Sequence, residues 1–187
     1  KGPARFSTRS RRWVGTSGRS RVLAAGTRVW SQPGVVGGLL NRMLAPHARR
    51  LGPDPASIDA CMIGGIVANN SSGMCCGVAQ NTYHTLESMT FMLADGTVVD
   101  SARPDADERL AAARPDLHAS LLRVRDQVRG DPSLVERIRR RFALKNTTGY
   151  SLNALVEFED PVEILAHLMI GSEGTLAFLS RITYRTV

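Results

Sequence analysis

Apolar and polar positions along the chain change period several times, and each change marks an element. Residues 27–32 alternate as a strand would, and Pro33-Gly34 follows as a turn. Val35, Val36, Leu39, Leu40, Met43 and Leu44 then recur at helical spacing, predicting an amphipathic helix that ends near Pro46. Met89, Phe91 and Leu93 alternate along the first arm of a hairpin over residues 84–100. Asp95-Gly96 predicts a two-residue turn there, with Thr97-Val98-Val99 as the return. From Arg103 to Arg141 the pattern is helical: Leu110, Leu117, Leu121, Leu122, Val124 and Val128 supply the apolar face. Asp131-Pro132 opens a further helix as N-cap and first residue.

Asp160-Pro161-Val162-Glu163 predicts a capping box ahead of a short helix through Ile164, Leu165, Leu168 and Met169. Residues 175–185 form a final strand whose apolar positions are Leu176, Phe178, Ile182 and Tyr184. Before residue 28 there is little periodicity. That stretch reads as a weakly ordered remnant of a preceding subdomain, with Trp13-Val14 and Arg21–Leu23 as a remnant strand pair. A single domain over residues 29–187 follows it.

Between the first helix and the hairpin lies a stretch of another kind, Gly52 to Gly77. It is dense in Pro, Gly, Asn and Ser, yet Met62, Ile63, Ile66, Val67 and Ala68 flank its paired glycines Gly64 and Gly65. Apolar residues around a glycine pair indicate a backbone that approaches something closely. Pro53 and Pro55 fix φ on either side of Asp54 and remove two donors. A rigid Pro-x-Pro beginning, the glycine pair and the Asn69–Gly73 exit together form a cradle of backbone amides suited to an anionic or polar cofactor.

Gly52-Pro-Asp-Pro-Ala-Ser57 followed by Ile63-Gly-Gly-Ile-Val-Ala-Asn-Asn-Ser-Ser-Gly73 resembles the FAD-binding segment of the vanillyl-alcohol oxidase type flavoproteins. Within that type the segment looks like the glycolate oxidase, D-lactate dehydrogenase and D-2-hydroxyglutarate dehydrogenase group. Gly171-Ser-Glu-Gly-Thr-Leu176 is similar to that group's second signature, Asp95-Gly96 falls where the family has its own turn, and Lys145-Asn-Thr-Thr-Gly-Tyr150 matches a further element. The resemblance implies an α+β fold, a mixed or antiparallel sheet flanked by helices, forming mainly the second subdomain of a PCMH-type FAD-binding domain. It also implies FAD as cofactor, with Pro53, Asp54, Pro55, Ile63, Gly64, Gly65, Asn69, Ser72, Gly73, Gly77, Gly171, Glu173, Gly174 and Thr175 around it. The parent enzyme would oxidise a D-2-hydroxy acid by hydride transfer to flavin. Its substrate groups would lie in a downstream domain, so no catalytic residue is assigned in this chain. The run Ala68–Gly77, with Asn81-Thr-Tyr-His84, looks most like members that append an iron–sulfur domain and use an acceptor other than oxygen.

Composition changes this picture little. The 187 residues are 43% hydrophobic and 22% charged, as in a globular protein. A net charge of +7 raises a nucleic-acid reading. Lys1 and Lys145 are the sole lysines, and aromatic residues, which such a binder would interleave with Arg for stacking, are only 5%. No Asp or Glu precedes Asp54. That acid-free beginning also fits a transit peptide, but an excised piece of a longer protein is the preferred reading. Such a piece is expected to be inert alone. The Arg137, Arg139, Arg140 and Arg141 cluster reads first as a solvated face. Cys61, Cys75 and Cys76 lack zinc spacing and read as free thiols in a reducing compartment. His47, His84, His118 and His167 are scattered, with His84 set apart only by its place after the cradle; no metal site is expected. No run is long and apolar enough to span a membrane, which favours a cytoplasmic protein or one peripheral to the inner membrane; a homodimer stays open.

Overall fold

The computed structural model describes residues 18–187. Trp13-Val14, and the rest of residues 1–17, lie outside it. The core is a five-stranded antiparallel sheet in the order β1-β2-β5-β3-β4, built from β1 (Ser20–Leu23), β2 (Arg28–Ser31), β3 (Leu86–Leu93), β4 (Val98–Asp100) and β5 (Ala177–Arg185). With eight α-helices around it among the described residues, the fold is the expected α+β type. Arg21–Leu23 does form a strand, but it pairs with β2 along Ser20↔Ser31 to Leu23↔Arg28. The division expected at residue 28 therefore falls inside a hairpin.

The helices are α1 (Gly37–Leu44), α2 (Ile63–Asn69), α3 (Thr82–Thr85), α4 (Ala106–Ala113), α5 (Pro115–Arg129), α6 (Pro132–Phe142), α7 (Ala154–Glu157) and α8 (Pro161–Leu168). One face of the sheet supplies Met89, Phe91, Ile182 and Tyr184 to a single buried cluster, which α1, α2, α4 and α8 complete with Leu40, Leu44, Ile63, Ile66, Leu110, Ile164 and Leu165. The Arg103–Arg141 helical stretch breaks at Arg114 and Gly130. Arg129, in the last turn of α5, donates to the carbonyls of Leu155 at 2.9 Å and Phe158 at 2.7 Å. It thereby satisfies acceptors at the end of α7 that have no intrahelical partner.

The caps divide. Asp131 behaves as expected, its side chain accepting from the amides of Ser133 and Leu134 at 2.9 and 3.0 Å. Asp160 precedes Pro161 but makes no side-chain cap bond, and no capping box forms. The β3–β4 loop also differs by one residue. Leu93 N donates to Thr97 O at 2.9 Å and Gly96 N to Leu93 O at 3.0 Å, enclosing Ala94, Asp95 and Gly96. Gly96 takes φ +88°, so this is a three-residue turn with glycine at the left-handed position.

A phase change in β5 decides which residues face the core. Thr90 pairs with Arg181, but Phe91 pairs with Leu179, leaving Ser180 as an extra residue in a bulge. Because strand side chains alternate with period two, the bulge puts Phe178 on the opposite face from Ile182 and Tyr184. Phe178 is 65% exposed, and Ile182 and Tyr184 are fully buried. The four apolar positions expected to share one face are therefore split between two. Ile182→Ala should cost about 2–5 kcal/mol of stability, and Phe178→Ala less than about 1 kcal/mol, measured by urea unfolding. Similar losses at both sites would mean that Ser180 is not bulged.

Candidate functional site

The middle of the Gly52–Gly77 stretch is a helix, not the open loop its composition suggests. Ile63, Ile66 and Val67 are buried at i, i+3 and i+4, so the face of α2 is anchored despite two glycines. Asn70, in the left-handed conformation at φ +50°, ends it. Gly64 sits against Pro33: its amide donates to Pro33 O at 2.8 Å, and a Cβ there would lie 2.7 Å from Pro33 Cβ. Around Gly65 there is open space, with nothing within 4 Å of where a Cβ would stand.

The Gly171–Thr175 segment docks on the end of α2. Gly171 N donates at 3.1 Å to Val67 O, which also accepts from the Asn70 amide that caps the helix, and Glu173 N donates to Ala68 O at 2.8 Å. Asn69 Nδ2 reaches Glu173 Oε1 at 2.7 Å. Gly171, Glu173 and Gly174 all have positive φ, of +83°, +52° and +76°. At Gly171 the crowding is direct, since a Cβ would stand 3.0 Å from Gly149 O.

The Lys145–Tyr150 loop closes around both segments. Lys145 Nζ donates to Ser72 O at 2.6 Å, and Tyr150 OH lies 2.9 Å from Thr175 Oγ1. Three motifs far apart in the chain thus meet at one place. Beside them is a cleft of about 540 Å³, lined by Pro33, Gly64 and Ala68 on one side, Ser172 to Leu179 without Glu173 on another, and Met92 to Ala94 on the third. Its walls are apolar side chains and backbone, with Ser172 and Thr175 as the hydroxyls.

The expected cofactor residues separate by position. Gly64, Gly174 and Thr175 line the cleft, and Asn69, Gly171 and Glu173 fix the junction that shapes it. Pro53 and Pro55 are buried, Ile63 is wholly in the core, and Asp54 pairs with Arg50 at 3.2 Å. Gly73 abuts the Asp54 carbonyl so closely that a Cβ would overlap it. This half of the stretch is packed against itself rather than opened as a cradle. Ser72 contributes its carbonyl to Lys145, while Gly77, exposed at φ +54°, is not on the cleft. Pro33, Met92, Leu176 and Phe178 also line the cleft but carried no chemical signal in the sequence. They read as a turn and as strand positions, and only the sheet register brings them here.

These walls fit the planar, largely apolar ring of a flavin, with flat backbone at Gly64 and Gly174 and no charged side chain in the lining; Gly65, next in the chain, is exposed and does not line the cleft. The cleft itself thus holds no charged partner for a pyrophosphate. Residues 18–102 match the FAD binding domain family. That stretch is similar to an FAD-binding domain over a little under half of the chain. That match includes α2, β3 and β4 and stops before the Lys145 and Gly171 segments. Glycolate oxidase subunit GlcD of Escherichia coli (strain K12) is 39% identical over 71 residues, spanning 38% of this chain and 14% of that protein. The same figures hold for GlcD of Escherichia coli O6:H1. Two solved structures of alkyldihydroxyacetonephosphate synthase align at 17% identity with TM-scores of 0.46 and 0.47, over 90% and 89% of this chain and 21% of each of theirs.

Behind α3 lies a second cluster that titrates. His167 on α8 is stacked on Phe158, with ring centroids 4.0 Å apart, and meets the edge of Tyr83 at 4.8 Å. Its Nδ1 donates to Glu163 O at 2.8 Å. Burial holds its pKa down to about 4, against the pull of that hydrogen bond and of Glu157; His84 and Arg185 push the same way as burial. Burial pushes the Tyr83 hydroxyl up strongly, aided by its 2.8 Å bond to Glu157. A histidine whose folded pKa lies below its unfolded value of about 6.5 stabilises the fold fully above that value and loses the contribution as pH falls through about 4. The total is about 3 kcal/mol. Urea unfolding at pH 7 and pH 4.5 should therefore show His167→Gln losing about 2 kcal/mol less than wild type between the two. Equal losses would place the acid sensitivity in the carboxylates instead.

Proposed function

We propose that this chain forms one wall of the flavin site of an FAD-linked oxidoreductase acting on a D-2-hydroxy acid of the glycolate, D-lactate or D-2-hydroxyglutarate type. The observation that carries the reading is the cleft at which Gly64 of α2 meets the Gly171–Thr175 turn. The family match supports FAD as the cofactor, and the likeness to a glycolate oxidase subunit supports the substrate class.

Bound FAD would supply the redox chemistry, taking up the hydride removed from the substrate carbon. The chain's own residues bind and shape. Gly64 lets the ring approach backbone, and Gly174 does so from the facing turn. Thr175, held by Ser172 O at 2.6 Å and beside Tyr150, presents a hydroxyl oriented from both sides. Met92, Leu176 and Phe178 exclude water from the remaining wall. Pro53, Asp54, Pro55, Ile63, Ser72, Gly73 and Gly77 act one layer back, holding α2 and its exit in place. The hydroxy-acid groups, the rest of the dinucleotide site and the electron acceptor belong to the longer protein; homodimer formation is part of the same proposal.

An inert fragment is the second reading, favoured by one fact: no charged side chain lines the cleft to meet the FAD pyrophosphate. Flavin fluorescence separates the two. Titration of the chain with FAD should give saturable quenching, and Gly65→Asp should weaken it more than about tenfold, or about 1.4 kcal/mol. Because Gly65 has open space around it, Gly65→Ala should leave the melt unchanged or raise stability by about 0.5–1 kcal/mol. No quenching by the chain, restored when flanking sequence is added, would mean half a site. No quenching by the longer protein would refute the flavin reading of the cleft.

A further inference from the structure

The α6 helix carries a feature that flavin binding does not use. Leu134, Ile138 and Phe142 follow one another at four-residue spacing along it, forming an apolar strip. Arg137, Arg140 and Arg141 flank that strip, and Leu152 faces it across a groove of about 460 Å³. Leu152 and Leu144 remain exposed, at 45% and 72%. Of the helix's four arginines, only Arg140 has an acidic neighbour among the described residues, Glu136 at 3.6 Å. Arg137, Arg139 and Arg141 are exposed and have none. Residues 1–17 supply no acid either, since no Asp or Glu precedes Asp54.

We propose that this groove docks an acidic, amphipathic helical segment of a partner protein. Two of the segment's apolar side chains, one helical turn apart, would enter between the Leu134–Phe142 strip and Leu152, and its carboxylates would meet Arg137, Arg139 and Arg141. The mode is a helix laid in a groove, with spaced anchors giving affinity and the arginine fork giving orientation. Pure charge attraction would need no apolar floor. Nucleic acid would call for stacking rings, and the one aromatic in the groove, Phe142, is half-buried. A second copy of this chain is disfavoured because a two-fold contact through α6 would set arginines against arginines. The proposal stands or falls separately from the flavin site.

The probe is a fluorescein-labelled synthetic helix of Glu, Ala and Leu with leucines at helical spacing, read by anisotropy against the full chain. Polyglutamate of the same length and a single-stranded RNA of equal charge serve as comparison probes. The leucine-bearing helix should bind more tightly than either comparison probe. Arg137→Glu/Arg141→Glu should weaken it at least about tenfold, and added salt should reduce but not abolish it. Leu152→Ser should weaken the leucine-bearing helix while leaving polyglutamate unchanged. All three substitutions fall on exposed positions, and a thermal melt checks that the fold survives them. Equal binding of polyglutamate, tighter binding of RNA, no binding of the helix, or indifference to the Arg137/Arg141 reversal would each overturn the proposal.

Discussion

Strand β5 is the last strand of the sheet in sequence and its central strand in space. It pairs with β2 from Arg28↔Arg185 to Ser31↔Ile182 and with β3 from Leu86↔Tyr184 to Leu93↔Ala177. Without it the sheet falls into two separate hairpins, β1–β2 and β3–β4, each marginal on its own. The cleft depends on the same strand. The Gly171–Thr175 turn is held between the end of α2 and the start of β5, so placing β5 between β2 and β3 also places the turn. The site is thus a by-product of how the sheet closes.

Closure at the turn is tight because three backbones converge without side chains between them. Gly64 against Pro33 and Gly73 against Asp54 leave no room for a methyl group, and Gly171, at positive φ, lies tightly against the Gly149 carbonyl. Polar groups then lock the arrangement: Asn69 to Glu173, Lys145 to Ser72, Tyr150 to Thr175. Such a junction is stiff, and stiffness suits a wall that orients a planar ring and performs no chemistry of its own.

Much of this was legible in the sequence because periodicity reports burial. The β3 alternation, the α1 face and the Asp131 cap follow from local rules that tertiary contacts did not override. The motifs around Gly64 and Gly171 were visible through their glycines, and the family resemblance matched FAD. What the sequence concealed was non-local. The α2 helix forms because Ile63, Ile66 and Val67 find a core, a stabilisation that outweighs the cost of two glycines of about 1 kcal/mol each. The Ser180 bulge reverses the facing of Phe178, and no residue type in β5 announces it. Pro53 and Pro55 turn inward because Gly73 lies against the segment between them, a contact that spacing alone cannot reveal.

The Ser180 bulge also has a colloidal consequence. By turning Phe178 outward beside Met92, with Val98 next in register, it leaves three apolar side chains on adjacent strands in contact with solvent. A patch of this kind draws copies together, while a net charge of +7 holds them apart. The balance shifts with ionic strength: in dilute buffer, repulsion acts over several nanometres at most, and in concentrated salt it shrinks below the width of a side chain. The protein therefore keeps best in low salt, and the usual remedy of adding salt to a basic protein would promote its association.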